Sequence, residues 1–164
     1  MIKEIYFAGG CFWGLEKFFG LVDGVISTEV GYANGETLNP TYEQVCNDSG
    51  HAETVKVIYN SSVITLTKLL QKFFLVINPY SINRQGGDIG VQYRTGVYFV
   101  DDLDYEVIKL FIDLEQAKTD KKIVVEVVKL KNYYQAEEYH QKYLDKNPFG
   151  YCHLKKADFE KARN

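Results

Sequence analysis

The residue best placed for nucleophilic chemistry is Cys11, in the run Gly9-Gly10-Cys11-Phe12-Trp13-Gly14. Before it, Ile2 to Ala8 reads as a short buried strand, with Ile5, Tyr6 and Phe7 supplying β-favouring side chains. After it, Phe12, Leu15, Phe18 and Phe19 recur at helical spacing. The glycines therefore fall at a strand-to-helix turn, where the backbone often needs dihedrals that other residues resist. Cys11 then stands at a helix N-terminus, whose unpaired N–H groups and dipole favour an anion. A thiol there is expected to titrate at about 3.5–7.5 rather than roughly 8.5, and so to be largely thiolate. The alternative is a small buried hydrophobe, the usual state of a free cysteine. On spacing alone, Phe12 and Trp13 read as core aromatics.

A second chemical group emerges from strand parity. Ala52 to Tyr59 reads as a strand in which Glu53, Val55, Val57 and Tyr59 share one face, opposite Thr54, Lys56 and Ile58. A carboxyl in line with two valines is partly desolvated, which raises its pKa and favours the neutral acid. Parity leaves open the alternative, a strand-end glutamate leaning out to water.

The elements that must position these groups follow in order. Val25 to Tyr32 alternates as a half-buried strand, Asn34-Gly35 is a turn signal, and Glu36 to Gly50 reads as a loop. Thr65 caps a helix whose apolar stripe is Leu66, Leu69, Leu70, Phe73, Phe74 and Ile77, ended by Asn78-Pro79. Tyr80 to Tyr93 is a long loop of the kind that often carries function. Arg94 to Val100 is a strand. Asp101 or Asp102 caps a helix with the stripe Val107, Leu110, Phe111, Leu114 and Ala117. Ile123 to Leu130 is a strand, Ala136 to Leu144 a further helix with Tyr139, His140, Tyr143 and Leu144 on one side, and Pro148-Phe149-Gly150 opens an irregular tail. This order predicts an α+β fold: a ferredoxin-like split βαβ core with a mixed sheet, helices packed on it and an irregular C-terminal tail. The whole length, 1–164, is expected to be one domain.

Composition narrows the function classes. Lys and Arg number 19 against 22 Asp and Glu, for a net charge of −3, and no basic run stands out, so no nucleic-acid partner is expected. Ile5 to Gly14 is an apolar run after Lys3, but Glu4 precedes it, Gly9-Gly10 interrupts it and no small-residue cleavage site follows, so it reads as mature structure. No run is long enough to span a bilayer, no membrane partner is expected, and the cytoplasm is the expected compartment. The three cysteines, Cys11, Cys46 and Cys152, are an odd number at wide spacing, unlike a disulfide scaffold or a zinc site. His51, His140 and His153 show no metal periodicity and read as solvated or structural. Neither metal nor cofactor is expected.

The string Gly-Gly-Cys-Phe-Trp-Gly resembles the active-site motif of the A-type peptide methionine sulfoxide reductases. Further blocks resemble that family in family order: Thr41-Tyr42-Glu43-Gln44-Val45-Cys46 with Gly50-His51-Ala52-Glu53, then Gly87 to Arg94, Ala136 to Leu144, and Asn147 to Cys152. The resemblance implies that Cys11 attacks the sulfoxide sulfur while Phe12 and Trp13 hold the substrate methyl group. It implies that Tyr42, Glu53 and Tyr93 surround the sulfoxide oxygen and that Asp88 organises the site. With 13 tyrosines in the chain, only these blocks single out Tyr42 and Tyr93.

Such groups suit the chemistry, since an oxygen that must leave needs protons or strong donors. Methionine departs, Cys11 becomes a sulfenic acid, and a second thiol condenses with it. Cys152, in a Gly-flanked tail that can move, is the favoured resolver, with Cys46 or an external thiol as alternatives. The disulfide would be reduced by thioredoxin or a similar dithiol, and the family implies the S epimer as substrate, free or in proteins. The chain departs from the family in carrying Ile77-Asn78 where many members have His-Asp, and in lacking a second tail cysteine, so a relay through the tail is not possible. Two other functions compete. A cysteine peroxidase or acyl-transfer enzyme would want a base such as His beside the thiol, and a module that binds methionine-rich partners would need no turnover.

Overall fold

A computed structural model describes residues 1–164. Strand β1 (Ile2–Ala8) leads through the glycine corner into α1 (Phe12–Gly20) and back along β2 (Val25–Ala33). A single-turn helix, α2 (Tyr42–Cys46), interrupts the connection to β3 (Ala52–Asn60), which is followed by α3 (Leu66–Val76). A small hairpin, β4 (Arg84–Gln85) and β5 (Asp88–Ile89), and a 3-10 turn at Val91–Tyr93 lie in the next connection. Then come β6 (Gly96–Phe99), α4 (Asp102–Gln116), β7 (Glu126–Lys129), β8 (Tyr133–Gln135), α5 (Tyr143–Lys146) and α6 (Lys156–Arg163).

The main sheet has the order β7-β6-β1-β3-β2-β8, with only the β6–β7 pair parallel. Its centre, β6-β1-β3-β2, is built from two split units, β1-α1-β2 and β3-α3-β6, which is the ferredoxin-like arrangement expected from the element order. Alternation along β1 sends Ile5 and Phe7 into the core shared with the helices and Tyr6 and Ala8 into a smaller cluster with Tyr98. In the main core Phe7 stacks on Phe19 of α1 at 4.6 Å between ring centres and packs against Phe73 of α3 at 4.8 Å. Each such buried aromatic contributes roughly 1.5–3 kcal/mol. On β3, Glu53, Val55, Val57 and Tyr59 are all buried; on the opposite face Lys56 and Ile58 are half-buried, while Thr54 is buried as well.

Several expectations need correction. Residues 136–144 do not form one helix. Gln141 instead uses its side chain like a strand backbone, accepting from Val30 N at 3.0 Å and donating to Val30 O at 2.8 Å and Ala136 O at 3.0 Å. That leaves a 3-10 turn at Glu138–His140, a left-handed Lys142 (φ 54°), and helix only from Tyr143. The C-terminal tail is not irregular throughout: Lys155 N donates to Asp158 Oδ2 at 2.8 Å, starting α6, which buries Ala162 against the core. On α4 the packed face is Asp104, Ile108 and Phe111, while Leu110 (61% exposed) and Leu114 (58%) face outward. Of the two readings open for the histidines, solvated or structural, their burial favours the structural one. His51 is fully buried, accepting from Gly35 N at 3.2 Å with its other nitrogen 2.8 Å from Thr37 O, which shapes the turn before β3.

Candidate active site

Three features of the chain bring the site together. The β1–α1 corner presents Cys11 as the N-cap residue of α1, with Gly10 at φ +81° and room for no Cβ there, because Gln85 Cβ would lie 2.7 Å away. The end of β3 brings Glu53 opposite Tyr32 in register. The 3-10 turn after the hairpin brings Tyr93, whose carbonyl accepts from Gly10 N at 3.3 Å.

Glu53 is 1% exposed, and its Oε1 accepts the main-chain N–H of Phe12 at 3.2 Å. Its other oxygen is buried with no partner. Burial pushes its pKa up to about 8, against the pull of the Phe12 N–H, and nearby Asp88 adds to the rise. Glu53 is therefore an acid holding its proton at neutral pH, and the water-facing alternative is excluded.

Cys11 does not behave as its helix position predicted. The thiol is 7% exposed, and burial, followed by the neighbouring Glu53, pushes its pKa well above the ordinary range. The main-chain N–H of Trp13 favours the thiolate but does not outweigh desolvation. The resting site thus pairs a protonated thiol with a protonated carboxyl.

Tyr42 and Tyr93 both flank this pair. Burial first, and then Glu53, raises the pKa of each phenol, so both remain donors. Tyr42 is held by its own N–H, which donates to Glu137 Oε2 at 3.0 Å, and Glu137 is fixed in turn by Tyr32 OH at 2.7 Å. Asp88 lies on the hairpin, close enough to raise both Glu53 and Cys11.

The aromatic pair divides. Phe12 is buried between Tyr32 and His140, while Trp13 is only half-buried. The indole stacks on Tyr143 at 3.7 Å between ring centres and 14° between planes. Its Nε1–H donates to His140 Nδ1 at 3.0 Å. Cys152 packs against α1 at Gly14, where a Cβ would come within 2.7 Å of its Sγ. That glycine lies one helical turn beyond Cys11. All eight residues singled out from the sequence, Cys11, Phe12, Trp13, Tyr42, Glu53, Asp88, Tyr93 and Cys152, fall in this one region. Glu137 and His140 were missed as supports. The signal was present, since both lie in a family-like block to which no role had been given. No group of His, Cys, Asp and Glu is arranged to hold a metal ion.

The family profile described as peptide methionine sulfoxide reductase matches residues 3–164. A relative named peptide methionine sulfoxide reductase MsrA, from Lachnoclostridium phytofermentans, is 57% identical over 165 aligned positions, covering 100% of this chain and 99% of its own. Among solved structures, Mxr1 from Saccharomyces cerevisiae in reduced form matches with a TM-score of 0.88 at 41% identity, over 92% of this chain and 88% of that one. Mxr1 in complex with Trx2 matches with a TM-score of 0.63 at 31% identity, over 87% of this chain and 84% of that one.

Proposed function

The chain belongs to the peptide methionine sulfoxide reductase family; it reduces methionine sulfoxide, and we propose that Cys11 carries that reaction on the S epimer, free or in proteins. The observation that carries this assignment is a buried, protonated Glu53 tied to the first N–H of the helix that Cys11 caps. Cys11 Sγ bonds to the substrate sulfur as Glu53 gives its proton to the sulfoxide oxygen and takes up the proton of the thiol. Oxygen then passes from the substrate sulfur to Cys11: the substrate sulfur–oxygen bond and the transient sulfur–sulfur bond break as the Cys11–oxygen bond forms. Methionine sulfoxide and a thiol become methionine and a sulfenic acid, with two electrons passing from Cys11 to the substrate.

Tyr42 and Tyr93 donate to the oxygen as negative charge develops there. Asp88 keeps the Glu53 proton in place by disfavouring a second carboxylate nearby. Trp13, with Phe12 behind it, receives the methyl group. Cys152 then attacks Cys11: a sulfur–sulfur bond forms, the Cys11–oxygen bond breaks, and the oxygen leaves as water with the Cys152 proton. Thioredoxin or a similar dithiol reduces the disulfide, a step supported by the yeast relative solved with Trx2. No helix is long and apolar enough to cross a membrane. Three unpaired thiols suit a reducing cytoplasm, the compartment we propose, and one catalytic domain of residues 1–164.

The test is incubation with each sulfoxide epimer in the absence of reductant. The expected yield is about one methionine and two lost thiols per chain from the S epimer alone. Peroxide consumption outpacing methionine formation, or methionine formed by Cys11→Ser, would remove the assignment.

A further inference from the structure

Resting on Cys152 as the resolving thiol, the geometry points to a second task for Asp88: its carboxylate clasps the resolving segment through the residues on either side of Cys152. Tyr151 OH donates to Asp88 Oδ1 at 2.9 Å. His153 Nδ1 stands 3.8 Å from Asp88 Oδ2. One carboxylate thus faces residue 151 with one oxygen and residue 153 with the other.

The His153 contact is longer than a hydrogen bond, yet neither atom has another partner. His153 Nδ1 and Asp88 Oδ2 are both buried without one, on side chains 6% and 12% exposed. Buried polar atoms are rarely left unpaired, and these two face each other across 3.8 Å. The ring's opposite nitrogen lies over the glycine corner, 3.1 Å from where a Cβ on Gly10 would stand. His153 is therefore wedged between Asp88 and the backbone that precedes Cys11.

The place of Cys152 makes the clasp consequential. With Tyr151 and His153 turned to Asp88, Cys152 lies against Gly14 of α1, where its sulfur is found. The clasp thus holds the thiol one turn of helix from Cys11, and little of the segment's freedom remains to be lost when the two sulfurs meet. Tyr151 and His153 are positioning residues for disulfide formation. The first half of the reaction does not use them.

The test is a single turnover without reductant, following methionine release and thiol loss separately and mapping the disulfide by peptide mass. In Tyr151→Phe and His153→Leu, methionine release should match the unaltered chain while Cys11–Cys152 disulfide formation slows by roughly tenfold. His153→Asn places an amide N–H near the position of Nδ1 and should restore most of that rate, which a loss of packing alone would not allow. Disulfide formation at the original rate in both variants, or Asn performing no better than Leu, overturns the clasp while leaving Cys152 as resolver. A disulfide absent from the unaltered chain overturns the assignment of Cys152, and the clasp with it.

Discussion

Glu53 Oε1 accepts the main-chain N–H of Phe12 at 3.2 Å, so the proposed proton donor is fastened to the same helix start that carries the proposed nucleophile. The bond engages one oxygen and leaves the other buried without a partner. That second oxygen is where the proton resides and where a sulfoxide oxygen would find it. Glu53→Gln keeps an acceptor for Phe12 while removing the acid. Methionine release in that variant should fall by about 10²–10⁴-fold, the usual worth of a positioned general acid, with much less change in substrate affinity. Rapid-quench counting of methionine measures the first quantity, and the concentration dependence of the burst measures the second.

The raised pKa of Glu53 sets the pH dependence. Its acid form, the active one under the proposed mechanism, persists up to about 8. The burst rate should therefore stay level through neutral pH and fall about tenfold per unit above that value. A burst rate that rises through pH 8 would instead show ionisation of Cys11 to be limiting.

Stability should change over a window that begins lower. Because the folded-state pKa lies above the ordinary carboxyl value, the favourable effect of burying a neutral acid is complete below about pH 4.5 and is lost as pH rises through about 8. At pH 7 the loss amounts to roughly 3 kcal/mol. Chemical denaturation of the parent chain should show this decline between pH 5 and 8. Glu53→Gln, which does not titrate, should lack that part of it.

Gly14 is the close-approach point between α1 and the segment that carries Cys152, the proposed resolver. A Cβ there would meet Cys152 Sγ at 2.7 Å and Leu154 Cγ at 3.4 Å. Gly14→Ala favours the helix by about 1 kcal/mol in intrinsic terms, yet it should push the resolving segment outward. The expected result is normal methionine release with disulfide formation slowed several-fold, read from thiol titration after a single turnover. Equal slowing of both steps would place Gly14 in the first half of the reaction instead.

The chemistry was more legible than the support around it. Parity put Glu53 on the same face of β3 as Val55 and Val57 but left open whether a residue so near the strand end is covered, and the structure covers it. The ionisation of Cys11 was misread because a helix N-terminus states only the favourable half of the balance. Desolvation depends on what the hairpin and the C-terminal segment bring over the thiol, which no local pattern encodes. The 136–144 stretch failed for a related reason: it has helical spacing, but Gln141 finds better partners on the backbone of β2 than a helix would offer. On α4, choosing the stripe by hydrophobicity alone selected Leu110 and Leu114, while the core received Ile108 and Phe111 together with Asp104, which is bonded to Lys3.

That correction to α4 is itself testable. Leu110 is 61% exposed, so Leu110→Gln should change the unfolding free energy by no more than about 0.5 kcal/mol. Ile108→Ala, two residues away on the opposite, packed face, should cost about 2–5 kcal/mol. Equal losses in urea unfolding would mean that the outward face is covered in solution.

Trp13 is the only tryptophan in the chain, which makes its anchoring directly observable. Its indole N–H donates to His140 Nδ1, and the arrangement assigns the imidazole proton to Nε2. Burial lowers the pKa of His140, so the ring stays neutral and keeps the acceptor that Trp13 needs. His140→Leu removes that acceptor but leaves an apolar surface behind Phe12. The indole, still stacked on Tyr143, should gain rotational freedom, and its emission should shift and lose anisotropy. If Trp13 receives the substrate methyl group, KM for methionine sulfoxide should rise by roughly tenfold while the maximal burst rate changes little, since the acid and the nucleophile are untouched. A large fall in burst rate with unchanged KM would show that His140 acts on the reacting groups themselves.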